Sequence, residues 1–102
     1  MYRSSYELIA FDIFEQQKDV VRYDYEPFSI PYICVNGLER RTVPDFLVYY
    51  KDGTKEIIEV KPFYKIERNI GNTNEKISAT EHFCKEKGMK FSVMSEKQLN
   101  LK

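Results

Sequence analysis

Residues 43–62 read Val43-Pro44-Asp45-Phe46-Leu47-Val48-Tyr49-Tyr50-Lys51-Asp52-Gly53-Thr54-Lys55-Glu56-Ile57-Ile58-Glu59-Val60-Lys61-Pro62, and they spell two extended runs joined by a turn. Asp45 to Tyr50 is rich in aromatic and branched residues, which fit a pleated, half-buried surface. Asp52-Gly53 is a hairpin signal, Glu56 to Lys61 is the returning strand, and Pro62, with no N–H to give a ladder, ends it. Side chains alternate along a strand, so Glu59 and Lys61 share one face while Val60 points the other way, into apolar packing.

Turn length decides where Asp45 goes. A two-residue Asp52-Gly53 turn pairs Lys51 with Thr54, hence Asp45 with Val60, and turns Asp45 away from Glu59. A three-residue loop, Lys51-Asp52-Gly53 with Gly53 left-handed in a bulge, pairs Tyr50 with Thr54 and so Asp45 with Glu59. The second register is expected, because Gly stands where a positive φ is required. It sets two carboxylates opposite one another, and acids that close repel unless a cation lies between them.

Outward from the hairpin, Tyr6, Ile9, Ala10, Ile13 and Phe14 recur at three- and four-residue spacing, which predicts a helix from about Ser5 to Gln17 with one apolar face. Asp19 to Tyr25 and Phe28 to Val35 read as strands, the second punctuated by Pro27 and Pro31, and Asn36-Gly37 marks a turn. After Pro62, residues 63–72 predict a loop or one helical turn. A helix from about Asn74 to Lys87 follows, with Asn72 or Thr73 as its cap and Gly88 just past its end. Lys90 to Met94 is a last strand, and Ser95 is placed to cap a short helix through Leu99. The order is helix, three or four antiparallel strands, helix, strand: an α/β fold with a mixed central sheet flanked by helices.

At 102 residues the chain is long enough for one domain over 1–102 and too short for two of ordinary size. No run approaches the roughly 20 apolar residues that cross a bilayer, and no unbroken apolar leader opens the chain, so a cytoplasmic protein that keeps off membranes is expected. Cys34 and Cys84 have no CxxC spacing and read as packed, reduced thiols rather than zinc ligands. The net charge of zero hides a split. Residues 1–60 carry 7 Lys/Arg against 11 Asp/Glu, and residues 61–102 carry 9 against 5. A metal-gathering acidic part and a phosphate-meeting basic part produce such a split, as do ordinary solvated surfaces.

Phosphodiester hydrolysis at neutral pH needs a divalent cation to polarise the phosphoryl oxygen and acidify the attacking water. Mg²⁺ takes hard oxygen ligands, one or two of them carboxylates. Asp45 and Glu59 are those carboxylates in this reading, the carbonyl of Val60 is a further donor, and the Lys61 ammonium beside them orients water or offsets charge building on phosphorus. The plainer alternative makes Asp45 a strand-edge residue and Glu59 with Lys61 an exposed charge pair. Against it, Glu59 and Lys61 interrupt an apolar strand, share a face, stop at Pro62 and meet an Asp in a compatible register. Glu7, at about 100° per residue, falls on the border of the first helix's apolar face. It has two readings, a third carboxylate leaning over the sheet edge or the Glu of a Ser4-x-x-Glu7 capping box.

Ser4-Ser5-Tyr6-Glu7, Val43-Pro44-Asp45-Phe46 and Glu59-Val60-Lys61-Pro62 together resemble the PD-(D/E)xK nuclease superfamily. The spacing is most similar to the N-terminal catalytic domain of the transposon endonuclease TnsA and to phage endonuclease I-type Holliday-junction resolvases. The resemblance implies a restriction-endonuclease-like αβββαβ core, a catalytic set of Glu7, Asp45, Glu59 and Lys61, and a Mg²⁺ or Mn²⁺ site. It lifts Glu7 above its capping role. The implied function is metal-dependent DNA cleavage, structure-specific or associated with transposons or phage, by a homodimer or with a partner protein. The alternative is an inactive nuclease-fold module that binds nucleic acid or a protein.

Arg40 and Arg41 before the hairpin are candidates to clamp phosphates, equally readable as a solvated loop, and Lys65, Arg68 and Lys76 after it are candidates to line a strand-binding groove. His82, the only histidine, reads as a helix-surface or packing residue rather than a base.

Overall fold

The computed structural model describes residues 5–34 and 36–95, with side chains throughout except at positions 5–7 and 11. In chain order the elements are α1 (Ser5–Gln16), β1 (Val20–Tyr25), β2 (Ile30–Ile33), β3 (Glu39–Thr42), β4 (Phe46–Tyr50), β5 (Lys55–Val60), α2 (Phe63–Arg68), a single 3-10 turn (Ile70–Asn72), α3 (Thr73–Lys87) and β6 (Lys90–Met94). The central sheet runs β1-β4-β5-β6. Its first three strands are antiparallel and β6 lies parallel to β5. The sheet is therefore mixed, and the core elements α1, β1, β4, β5, α3 and β6 form the restriction-endonuclease-like αβββαβ arrangement.

Alternation along the strands sorts the core onto two faces. Phe46, Val48, Ile58 and Val60 pack with Ala10 and Phe14 of α1. Leu47 and Ile57, one residue out of phase, pack with Cys84 of α3 and with Phe28, Phe83, Met89 and Phe91 around them. Both cysteines are free and buried. Gly88 ends α3 in the left-handed conformation, its N–H reaching back to the carbonyls of Cys84 and Lys85. Among the described residues no helix is long and apolar enough to cross a membrane.

Three features differ from the sequence reading. β2 does not join the central sheet; it pairs only with β3, a strand the sequence did not announce. Pro31 explains part of this, since it cannot donate to a ladder and is tolerated only where its nitrogen faces away from a partner. Residues 63–72 hold more structure than a loop: Pro62 leads into the six residues of α2, and the chain turns into α3 through left-handed Asn69 and Asn72. Asn72 is the N-cap residue of α3, as expected, but its side chain makes no capping bond; Asn69 Oδ1 instead accepts the Asn74 N–H at 2.7 Å. The expected helix beyond Ser95 and the Ser4 capping box lie outside the described residues.

The hairpin has the register of the three-residue loop. Phe46 pairs with Ile58, Leu47 with Ile57, Val48 with Glu56 and Tyr49 with Lys55. Tyr50 N–H donates to Thr54 O at 2.9 Å, Gly53 N–H donates to Tyr50 O at 3.0 Å, and Gly53 has φ +89°. A Cβ at Gly53 meets nothing within 4 Å, so any penalty for a side chain there is purely one of backbone conformation. Gly53→Ala is expected to destabilise the protein by about 1–2 kcal/mol, measured by urea unfolding. An unchanged midpoint would show that the loop does not hold the register.

Candidate active site

Asp45 sits where buried Pro44 delivers the chain into β4. Its carbonyl accepts the N–H of Glu26, the residue after β1, at 2.9 Å. Continuing the hairpin register by one step sets Asp45 across from Glu59, and its side chain spans the gap: Asp45 Oδ2 accepts the Val60 N–H at 2.7 Å. That amide lies between Glu59 and Lys61, so the bond draws the Asp45 carboxylate against the other two. Val60 turns its side chain to the α1 face, which leaves Glu59 and Lys61 on the α3 face with Asp45. Lys61 is fixed in turn by its N–H, which donates to Met94 O of β6 at 2.9 Å.

Glu59 is the anomaly of the core. It is only 4% exposed, and its Oε1 has no hydrogen-bond partner. Its Oε2 lies 3.9 Å from Lys61 Nζ, the limit of an ion pair. Burial, and then the negative charge of Asp45, push its carboxyl from 4.5 up to about 8, against the opposing pull of Lys61 and Lys76. A buried acceptor left unpaired costs roughly 1–3 kcal/mol. An orphaned, desolvated carboxylate oxygen beside a second acid fits a hard divalent cation, whose arrival satisfies the oxygen and removes the repulsion. Among the described residues no group of three or more His, Cys, Asp or Glu side chains assembles. The pair Asp45 and Glu59 is the acidic content of the site there.

The other expected residues are scattered differently. Position 7 lies on α1, but its side chain is outside the described residues. Arg40 and Arg41 are exposed on β3, in the separate ribbon. Arg41 is tied to Ser29, donating from Nε to Oγ at 2.8 Å, and Arg40 lies beside the Cys34 thiol. There burial raises the thiol, but Arg40, Asn36 and Leu38 outweigh it and hold the group below its ordinary value. Lys65 and Arg68 occupy the last turn of α2. Lys76 is half-buried on α3 and near enough to act on Glu59; as a binding candidate it is legible in the chain, but its closeness to Glu59 is not. His82 is exposed and pairs with Glu86 at 2.6 Å, a surface contact. A cleft of about 600 Å³ between β2 and α3 is lined by Ile30, Tyr32, Ala79 and Phe83 among others and includes none of Asp45, Glu59 or Lys61.

A nuclease-type fold, with an acid pair and a lysine at one end of its hairpin, is what the geometry defines. The chain belongs to the TnsA-like endonuclease N-terminal family, whose model matches residues 17–96. The matched span contains Asp45, Glu59 and Lys61 and begins after α1. No curated protein matches the chain closely enough to count as a relative.

The displaced Glu59 carboxyl makes a pH prediction for the metal-free protein. Because its folded value, about 8, lies above its ordinary 4.5, the folded state keeps a proton that the unfolded state has lost, and stability falls as pH rises through that window. In EDTA, Glu59→Gln is expected to be more stable than the parent at pH 8.5 by roughly 1–3 kcal/mol, with the gap shrinking toward pH 4.5. Parallel melts of the two proteins across pH test this; a constant gap would show that Glu59 keeps an ordinary acidity.

Proposed function

We propose that this chain is a divalent-metal-dependent endonuclease that hydrolyses phosphodiester bonds in DNA, with Asp45, Glu59 and Lys61 at the reacting centre. The observation that carries the reading is the buried, unpartnered oxygen of Glu59 next to Asp45. The arrangement burdens the fold, and a bound cation gives it a purpose. Mg²⁺, or Mn²⁺ in its stead, is held by the carboxylates of Asp45 and Glu59, with the Val60 carbonyl and Glu7 as further oxygen donors. When bound, such an ion supplies Lewis-acid polarisation of the phosphoryl oxygen and a more acidic attacking water.

The chain's own residues do the rest. The Val60 N–H holds Asp45 in place, which spares the acid a rearrangement when substrate arrives. Lys61, partly exposed at the end of its strand, presents an ammonium to the phosphoryl oxygens as negative charge builds there. DNA as the substrate rests on the likeness to TnsA. One such centre cuts one strand, so a double-strand break calls for a homodimer or a partner protein, and the same associate supplies target choice that so small a domain has little surface to make.

Supercoiled plasmid and branched DNA, incubated with Mg²⁺, Mn²⁺ or EDTA, test the reading. Cutting is expected with either metal and not with EDTA. Asp45→Ala and Lys61→Ala are each expected to lose on the order of 10²–10³-fold in rate while keeping the circular dichroism of the parent. Metal-dependent cutting at parental rates by both variants would remove these residues from the chemistry. Absence of cutting by the parent on all substrates, with DNA binding retained, would favour an inactive binding module.

A further inference from the structure

β5 is followed by α2 and α3 and then by β6, which pairs parallel to β5 from its first residue, Lys90 against Glu56. The crossover forces α3 to run back against both strands, so its last turn lies by the start of β5 and its first turns by the end. Packing agrees, since Cys84 joins Ile57 in the core. One turn earlier Thr80 is buried, its Oγ1 donating to Lys76 O at 2.9 Å. Eight helical residues from Cys84 to Lys76 rise about 12 Å, and four strand residues from Ile57 to Lys61 about 13 Å. Lys76 thus comes level with Lys61 and overhangs the Glu59 end of the strand.

Among the described residues no ion pair closes on Lys76. The charges of the site leave it a different partner, an argument that rests on the nuclease reading. A divalent cation cancels the two carboxylates, and the ammonium groups of Lys61 and Lys76 then face an uncompensated site that only an anion can complete. The backbone at the start of α3 is not that anion's main ligand, because the Asn74 N–H is already taken by Asn69.

We propose that Lys76 binds a backbone phosphate of the strand being cut, next to the phosphate that Lys61 serves, so that the first turns of α3 and the end of β5 grip the strand between them. Within this arrangement Lys76 is a substrate-binding residue of the active site itself, unlike a lysine on a distant surface.

The experiment measures binding of a short fluorescent DNA duplex by anisotropy across a salt series at constant Mg²⁺, in a Lys61→Ala background that keeps both carboxylates and cuts too slowly to alter the duplex. Adding Lys76→Met is expected to reduce the slope of log affinity against log salt by about 1, the signature of one lost phosphate contact. Lys76→Arg is expected to keep the slope, and Lys85→Met, at the far end of the same helix, to leave it unchanged. Thermal melts establish that each variant is folded, and Lys76→Gln replaces Lys76→Met if the latter is not. An unchanged slope in the folded Lys76 variant, with the parent still cutting DNA, would overturn this proposal and leave the nuclease reading standing. A parent that neither binds nor cuts DNA would sink both.

Discussion

Two carboxylates on neighbouring strands of one sheet face, Glu59 buried and Asp45 half-buried beside it, set the terms for the rest of this molecule. Nothing about a β-hairpin favours that arrangement, since like charges in a poorly polarisable medium repel strongly. It persists because the surroundings over-determine it. The loop at residues 51–53 fixes which residues oppose each other, the Val60 amide captures Asp45, and Pro62 stops the strand so that Lys61 ends beside the acids. The two hydrophobic clusters then clamp the hairpin from both faces.

Much of this was legible in the chain before any coordinates. The hairpin register follows from one glycine and a count of residues, because a side-chain period of two turns a one-residue slip into a change of face. The helix from Thr73 to Lys87 announced its exit with Gly88, and Ala10 and Phe14 announced the buried stripe of α1. These signals are local and periodic, and local periodicity is what a sequence carries best. The pairing of Asp45 with Glu59 was readable for the same reason.

What escaped the reading depends on partners distant in sequence. Glu39-Arg40-Arg41-Thr42 has no alternation and looks like a loop; it becomes a strand because β2 lies beside it. The burial of Glu59 is likewise invisible in the sequence, where a glutamate flanked by Ile58 and Val60 reads equally as an exposed charge. Only the arrival of α3 over the end of β5 makes it desolvated. The approach of Lys76 to that glutamate comes from the same crossover, and no spacing rule links residue 59 to residue 76. α2 is too short for periodicity to register, and the αL asparagines around it read as generic loop chemistry.

The ribbon of β2 and β3 leaves the sheet after Tyr25 and returns before Phe46, two residues that are themselves partners in the β1–β4 ladder. Immediately outside that pair, the Glu26 amide fastens onto the Asp45 carbonyl. The excursion is therefore tied shut at its neck, like a bag on a drawstring. Its exposed tip around Gly37 and Leu38 can lengthen or shrink without tugging on the acid that stands at the knot, while Phe28, Ile30 and Tyr32 stay moored to the rest of the fold by their packing against α3.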